Sequence, residues 1–180
     1  HIFRELGVMP AVSATQAQMA LDEKGLAFVP LSALAPGIHN LLGLRARLGV
    51  RNSAHSLVKM LDPFRGEGVL VAAATHPDFI DLMRAMLLTL GRSGILLRGT
   101  EGEPFANPKR RPRLEYVHDA RAEVLFEAEH DSLRALPSLP AAADAASTAA
   151  WIRRILEGQV SLPKPIANQL ACCLYATGYA

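Results

Sequence analysis

Two apolar runs, separated by a segment of helical length, place the strongest constraint on how this chain can fold. Val69–Ala74 consists of β-branched and small residues, and Ile95–Arg98 is a second apolar run that glycine follows. The segment after Thr75 has the apolar spacing of a helix as far as Leu90, and Gly91 is its expected C-cap. Strands that alternate with helices predict an α/β fold, with a mostly parallel sheet flanked by helices.

Capping residues predict further elements on both sides of this unit. Ser13 and Gln16 have the spacing of a capping box, for a helix that ends at Gly25. Thr75 is expected to cap the helix after the first strand, with Asp78 in its first turn. The other predicted elements are helices over Ile2–Leu6, Ser32–Leu48 (broken near Pro36), Ala54–Leu61, Ala145–Leu156 and Pro163–Tyr175, strands over Leu26–Val29, Leu114–Val117 and Val124–Phe126, and a Pro/Ala connector over 136–143.

The composition favours a globular, cytoplasmic protein. Half of the 180 residues are apolar and a fifth are charged, and the apolar runs are too short to span a membrane. Cys172 and Cys173 are adjacent, so they provide neither a disulfide framework nor a zinc site, and reduced thiols are expected. We expect residues 1–180 to form one α/β domain of a longer chain.

Positive charge is concentrated between Arg45 and Arg113. This stretch holds twelve Lys/Arg against six Asp/Glu, a balance of +6, whereas the remainder has a balance of −4 within the net +2. Such an asymmetry predicts a polyanionic partner. The cations form two groups along the chain, which are Arg45, Arg47, Arg51, Lys59 and Arg65, and then Arg98, Lys109, Arg110, Arg111 and Arg113.

The second group lies directly after the strand that ends at Arg98. Open α/β sheets usually bind ligands at the carboxyl ends of their strands, so this basic loop is the predicted site. Glu101 and Glu103 are too few to pair with three consecutive cations, and the acids from Glu115 to Asp131 are expected to face solvent. Free guanidinium groups match phosphate oxygens. Since only Phe105 and Tyr116 are near enough to stack on bases, sequence-independent contacts to backbone phosphates are predicted.

Other site chemistry finds little support in the motifs. The six histidines are dispersed, no pair has HxxxH spacing, and neither a GxSxG elbow nor a P-loop is present. His55 and His76 are therefore expected to be structural.

Several segments resemble the anthranilate phosphoribosyltransferases, which have the family 3 glycosyltransferase fold. Leu44–Val50 resembles the family's VRRELGI segment, in which an arginine contacts anthranilate, and Arg45 has the corresponding position. The resemblance covers nearly the whole chain and implies a phosphoribosyltransferase-like fold. It also implies that 31–62 are hinge-type helices, which pack toward a helical domain mostly absent here. Further matching segments are Asp62-Pro63 (NP), Thr75–Asp78 (YHPE), and the last two helices over Ala145–Gly158 and Gln169–Gly178.

The loop after the second strand departs from that family. The family carries HGxDGLDE, and its last two carboxylates hold Mg²⁺ for phosphoribosyl diphosphate, whereas this chain has Pro104 and Phe105 there. Mg²⁺ needs oxygen ligands, which these side chains lack. The departure implies a catalytically degenerate protein without a cofactor. Glu101 and Glu103 are the alternative Mg²⁺ ligands if the loop is shifted.

Two longer strings resemble a non-catalytic, DNA-binding branch of the family, the YbiB type. They are RGTEGEPFANPKRRP, which begins at Arg98, and LGVRNSAHSLVKMLDPF, which begins at Leu48. This resemblance implies a homodimer in the full-length protein that binds nucleic acid, meaning duplex or single-stranded DNA. The predicted phosphate contacts are Arg98, Lys109, Arg110, Arg111 and Arg113, with Arg45, Arg47, Arg51 and Lys59 on an adjoining surface.

Two alternatives stay open at this point. The first is a divergent Mg²⁺-dependent phosphoribosyltransferase for anthranilate or a nucleobase, in which Arg45 holds the substrate and Glu101 or Glu103 the metal. The second is an interaction module whose basic face docks an acidic protein.

Overall fold

A computed structural model describes residues 1–64, 66–100, 103–131, 133, 135, 140 and 142–179. The chain divides into two compact units, His1–Val58 with Ser138–Ser161, and Lys59–Pro137 with Leu162–Ala180. None of the described helices combines the length and the apolar character that a membrane crossing requires. In chain order the elements are α1 (Ile2–Glu5), α2 (Ala14–Lys24), α3 (Leu31–Leu34), α4 (Pro36–Gly43), α5 (Arg45–Leu48), α6 (Ala54–Leu57), a 3-10 turn (Val58–Met60), β1 (Val69–Ala74), α7 (Pro77–Leu90), β2 (Ser93–Arg98), β3 (Leu114–His118), β4 (Arg121–Phe126), α8 (Ala145–Leu156) and α9 (Lys164–Ala176).

The first unit is helical, and α2 begins at the cap predicted from the sequence. Ser13 Oγ accepts a hydrogen bond from Gln16 N at 3.2 Å, which confirms Ser13 as the N-cap. Gln16 Oε1 accepts from Val12 N at 2.7 Å, so the reciprocal bond reaches one residue further back than in a standard capping box. Gly25 ends the helix in the left-handed conformation, as predicted.

Two predictions in this unit need correction. Leu26–Val29 is not a strand, because no strand lies beside it among the described residues of this unit; Phe28 makes only an isolated parallel bridge with Pro10. The Phe28 ring instead stacks on Phe3 with centroids 5.1 Å apart. The helix expected over Ser32–Leu48 is divided into α3, α4 and α5, and the first break falls before Pro36, as predicted.

The second unit is built on a four-stranded sheet in the order β1-β2-β3-β4. β1 and β2 are parallel, with Val69 opposite Ser93 and Ala74 opposite Arg98. β2–β3 and β3–β4 are antiparallel. The α/β class is confirmed, but the described sheet is mixed rather than mostly parallel. A parallel neighbour requires a crossover connection. α7 supplies one between β1 and β2, whereas no helix is described between β2 and β3, and only two residues separate β3 from β4.

Side chains on the two faces of this sheet form separate cores. Strand residues alternate between the faces, so Ala72, Ala74 and Leu96 pack with Met83 and Leu87 of α7. The opposite face packs against Cys172 of α9. Its buried members are Ala73, Ile95, Leu97, Ala106, Leu114 and Cys172.

The start of α7 differs from its prediction. The N-cap is His76, which makes no side-chain capping bond, and Pro77 occupies the first turn. Thr75 therefore does not cap the helix. Pro77 needs no amide partner at this position and has its backbone angle preset for a helix, so the turn forms without a hydroxyl cap. Gly91 ends the helix in the left-handed conformation, as predicted.

Candidate nucleic-acid interface

The basic loop lies at the carboxyl end of β1 and β2, which confirms its predicted location in the sheet. β2 ends at Arg98, opposite Ala74, the last residue of β1. Gly99 N then donates a hydrogen bond to Ala74 O at 3.2 Å. A Cβ at Gly99 would overlap the carbonyl oxygen of Glu103 and lie 2.7 Å from Ala73 Cβ. The turn out of the strand therefore requires glycine at this position.

Gln169 of α9 holds the middle of the loop. Its side chain is almost fully buried, and Oε1 accepts a hydrogen bond from Ala106 N at 2.7 Å. Nε2 donates to Pro104 O at 2.9 Å. The side-chain amide of Gln169 thus fixes the peptide groups on both sides of Phe105. The next residue, Ala106, is fully buried. Thr100 N adds a long bond to Phe105 O at 3.4 Å.

Three cations of this loop are exposed and available to a ligand. Arg98 lies at the end of β2, and Lys109 and Arg110 lie on a turn that Asn107 organises. Asn107 Oδ1 accepts from Lys109 N at 3.0 Å, and its carbonyl oxygen accepts from Arg110 N at 3.1 Å. Within the described part of the chain, no acid pairs with these three side chains. Their charge is therefore open to solvent.

Arg111 corrects the expectation that three consecutive cations lack internal partners. Its side chain is only 15% exposed and forms an ion pair with Glu129 at 3.3 Å. Nη1 donates to Asn168 Oδ1 at 2.8 Å, and Nε and Nη2 donate to the carbonyl oxygen of Glu127. The guanidinium also lies 4.9 Å from the centre of the Phe126 ring. The Arg111 side chain therefore stabilises the loop through contacts within the protein.

The Lys59 side chain likewise makes a hydrogen bond within the protein. Its Nζ donates to Ala73 O at 2.8 Å beneath the same end of β1, and its side chain is half-buried. The ammonium group thus stabilises the strand end, in contrast to the free phosphate contact predicted from the sequence. Arg65, which the sequence groups with it, lies outside the described residues.

A buried carboxylate restrains Arg113. Glu115, which the sequence predicted to face solvent, is only 5% exposed. Arg84 of α7 donates to both of its oxygens, Nε at 2.7 Å and Nη2 at 3.0 Å, and these bonds raise the pKa of the Arg84 guanidinium. Arg113 Nε lies 3.1 Å from Glu115 Oε1, yet half of the Arg113 side chain is exposed. The Arg113 side chain is therefore only partly available to a ligand.

The first unit carries its own exposed cations. Arg45 and Arg47 lie in α5, and Arg51 follows two residues after its C-cap Gly49. None of the three has an ion-pair partner among the residues that the structure describes. Asn52 fixes the segment, because its Nδ2 donates to Leu41 O at 2.8 Å and its Oδ1 accepts from Ala54 N at 3.0 Å.

The two histidines expected to be structural differ in their surroundings. His55 Nδ1 lies 3.2 Å from Asn52 O and 3.2 Å from Asn52 Oδ1, which supports a structural role. His76 is exposed, and its Nδ1 lies 3.5 Å from an Asp78 oxygen. No described group of three or more His, Cys, Asp or Glu side chains includes either of them as a candidate metal ligand.

The described loop residues do not fit a Mg²⁺ site of the transferase kind. Mg²⁺ takes near-octahedral oxygen ligands, often through carboxylates. Pro104 and Phe105 have no side-chain oxygen, and their carbonyl oxygens accept hydrogen bonds from Gln169 and Thr100. Glu103 is the one carboxylate described between Gly99 and Arg113. Glu101, the other predicted ligand, lies outside the described residues.

Sequence reasoning missed the residues that shape this loop. Gln169 and Asn168 were assigned only to a helix, and Glu115 and Glu129 to a solvent-facing acidic segment. One sequence signal could have found Gln169, because it is a polar residue at a helix position that is expected to be buried. It is three residues before the buried Cys172, on the face of α9 that covers the sheet.

The fold defines an α/β protein whose mixed sheet has helices packed on both faces. No protein-family model matches the chain. It is 39% identical over 180 residues to "Uncharacterized protein YbiB" of Escherichia coli K12, covering 99% of this chain and 56% of YbiB. It is 26% identical over 160 residues to anthranilate phosphoribosyltransferase 2 of Streptomyces coelicolor, covering 87% and 48%.

A solved structure shows the same fold. The crystal structure of anthranilate phosphoribosyltransferase from Thermus thermophilus matches with a TM-score of 0.72 and 24% identity, over 99% of this chain and 54% of that chain. The chain thus spans about half the length of these proteins. It is similar to YbiB over that span and has the anthranilate phosphoribosyltransferase-like fold.

Proposed function

We propose that this protein binds nucleic acid without sequence preference, through cations that contact backbone phosphates. The observation that carries the proposal is the exposure of Arg98, Lys109 and Arg110 at the carboxyl end of the parallel strand pair, with no acid partner among the described residues. Ligands of open α/β sheets bind at this end. Lysine and arginine side chains of this kind neutralise phosphates and release counterions.

The buried contacts refine the set of residues that meet the phosphates. Arg98, Lys109 and Arg110 are direct contacts, and Arg113 is a partial one because Glu115 holds its Nε. Arg111 and Lys59 act instead by positioning the loop and the strand end. Arg45, Arg47 and Arg51 provide further exposed charge in the first unit.

Fluorescence anisotropy with labelled DNA at several salt concentrations tests the proposal. If Arg98, Lys109 and Arg110 each neutralise one phosphate of a duplex, log K falls with log salt with a slope of about −3, and the Lys109→Ala/Arg110→Ala variant reduces this slope by about 2. Shuffled sequences of one length are expected to bind equally. A salt-independent affinity would contradict the proposal.

A matched control separates loop contacts from net charge. Lys24→Ala/Arg121→Ala removes one lysine and one arginine that are exposed but lie outside the loop. This control is expected to bind nearly as well as the parent protein. Equal losses in the two double variants would indicate that general charge, and not the loop, attracts the DNA.

A phosphoribosyltransferase activity is the second candidate, and the similarity to anthranilate phosphoribosyltransferases favours it. Arg45, which is exposed on α5, would hold the substrate in that case. Mg²⁺-dependent consumption of phosphoribosyl diphosphate by the full-length protein, abolished by Arg45→Ala, would support this activity over nucleic-acid binding alone. The homodimer and the cytoplasmic location expected from the sequence stay predictions, which gel filtration with light scattering and cell fractionation test.

A further inference from the structure

Phe105 presents an aromatic ring to solvent from a fixed backbone. The residue is 40% exposed. Its preceding peptide carbonyl and its following peptide N–H are both bonded to the buried Gln169, at 2.9 and 2.7 Å. The next residue, Ala106, is fully buried. The exposure of the ring is therefore imposed by the loop and does not result from a loose segment.

Two aromatic rings of the adjoining strands, those of Tyr116 and Phe126, already have partners within the protein. Tyr116 stacks on His118 with centroids 4.1 Å apart, and its hydroxyl donates to Ala176 O at 3.2 Å. Phe126 lies under the Arg111 guanidinium. Among the described residues no ring or cation covers Phe105. Its ring is thus open to a stacking partner.

Along the chain, Phe105 lies between the exposed cations of the loop, with Arg98 before it and Lys109 and Arg110 after it. Thr100 N bonds to Phe105 O, which ties Phe105 to the chain two residues beyond Arg98. Lys109 is four residues along from Phe105, so their Cα atoms are separated by at most about 14 Å. One ring with cations on both sides along the chain is the arrangement of single-strand binders, which track the backbone with charge and stack bases on aromatic side chains.

We propose that Phe105 stacks on an unpaired base of a single-stranded nucleic acid whose phosphates contact Arg98, Lys109 and Arg110. This inference rests on the proposed function and names the form of nucleic acid that the loop accepts. In a duplex each base is already stacked and paired, so the ring has no free base face to meet. Stacking is tolerant of sequence because every base has such a face.

Three probes of equal length test the inference: a twelve-nucleotide thymidine strand, a blunt duplex of twelve base pairs, and a strand of twelve abasic sugar-phosphate units. Phe105→Ala is expected to weaken binding of the thymidine strand by about 5- to 150-fold, the loss of one stacked base. Duplex and abasic affinities are expected to stay within about twofold of the parent, because charge alone holds these probes.

Two companion variants keep the result interpretable. Phe105→Trp retains a stacking face and is expected to bind the thymidine strand at least as well as the parent protein. Phe105→Leu retains apolar volume without a ring and is expected to behave as Phe105→Ala. Thermal melting of each variant checks that the loop stays folded. Equal loss of all three probes in Phe105→Leu would show that the ring only supports the loop, and would overturn the inference.

The failure of this inference is distinguishable from failure of the proposed function. If the parent protein binds the thymidine strand and the duplex, both affinities fall in Lys109→Ala/Arg110→Ala, and Phe105→Ala changes neither, then phosphate binding stands and base stacking is wrong. If the parent protein binds none of the three probes, both are wrong. A strand of uridine nucleotides in the same assay shows whether the site accepts RNA as well as DNA.

Discussion

The buried side-chain oxygen of Gln169 accepts a hydrogen bond from the backbone N–H of Ala106, 63 positions earlier in the chain, at 2.7 Å. This bond joins α9 to the loop that carries the exposed cations. It also satisfies an amide in a fully buried residue, which has no other hydrogen bond described. The order of the loop therefore depends on a helix that contributes no charge to the site.

Replacing Gln169 is expected to destabilise the protein and loosen the loop. Gln169→Leu keeps the side-chain size but leaves the Ala106 N–H buried without a partner, which costs about 1–3 kcal/mol. Urea unfolding measures this loss, and hydrogen exchange is expected to show faster exchange of the Ala106 amide. The control is Gln18→Leu, since Gln18 is exposed and its side chain bonds to the equally exposed Asp22. Equal stability of the two variants would contradict a structural role for the Gln169 amide.

Arg110 and Arg111 are adjacent, yet they are expected to respond differently to the same substitution. Arg111→Ala removes the guanidinium that contacts Glu129, Asn168 and the Glu127 carbonyl, at a cost of about 3 kcal/mol. Arg110→Ala removes an exposed side chain and is expected to change the free energy of unfolding by less than about 0.5 kcal/mol.

Urea unfolding and DNA titration of the two variants separate these roles. Arg110→Ala is expected to reduce the salt slope of DNA binding by about 1 while its unfolding curve stays in place. Arg111→Lys provides a second test, because one ammonium group cannot reproduce bonds to three partners and is expected to restore only part of the stability. Superimposable unfolding curves for Arg110→Ala and Arg111→Ala would refute the distinction.

The difference between these two arginines shows where sequence reasoning reaches its limit. The location of the loop could be predicted because an apolar strand followed by glycine is a local pattern. The partners of Arg111 are not local, since Glu129 is 18 and Asn168 is 57 positions away. Counting only Glu101 and Glu103 as nearby acids therefore led to the wrong conclusion for Arg111.

The sheet shows the same limit at the level of topology. Apolar runs in the sequence predict which segments form strands, and the positions of β1 and β2 were predicted correctly. Strand direction depends on whether the intervening chain crosses over the sheet. The loop from Gly99 to Arg113 has no helical pattern, so it offers no crossover helix. The absence of that pattern indicates that β3 runs antiparallel to β2. The alternation of strands and helices predicted the α/β class correctly but did not supply the direction of β3 and β4.

Glu115 allows a comparison of two arginines that contact one carboxylate. Arg84 forms two hydrogen bonds with Glu115 and is 26% exposed, whereas Arg113 forms one contact and is 52% exposed. Arg84→Met is expected to cost about 3 kcal/mol, because the nearly buried carboxylate loses its main partner. Arg113→Met is expected to cost at most about 1 kcal/mol.

Denaturant unfolding of both variants, at low and at high salt, tests this ranking. The loss in Arg84→Met is expected to persist at about 1 M salt, because a buried pair is screened less than an exposed one. Glu115→Gln in the Arg84→Met background should recover part of the loss by removing the unpaired charge. A larger loss in Arg113→Met than in Arg84→Met would reverse the assignment.

The adjacent cysteines are expected to be unreactive in the folded protein. Cys172 is 1% exposed in the core under α9, and burial raises the pKa of its thiol to about 11. Burial also raises the pKa of Cys173. Because the thiolate is the reactive form, we expect iodoacetamide at about pH 8 to alkylate Cys172 at least about 100-fold more slowly in the native protein than in guanidinium. Mass spectrometry of peptides measures each rate.

The raised pKa also predicts a loss of stability in alkali. Between pH 9 and about 11 the unfolded thiol has lost its proton while the native Cys172 thiol keeps it. The unfolded state then binds fewer protons, so the free energy of unfolding decreases as the pH rises through this window. Cys172→Ala removes this titration, and its stability should fall less between about pH 8 and pH 10.5 than that of the parent protein. Parallel pH profiles for the two proteins would show that Cys172 ionises equally in both states.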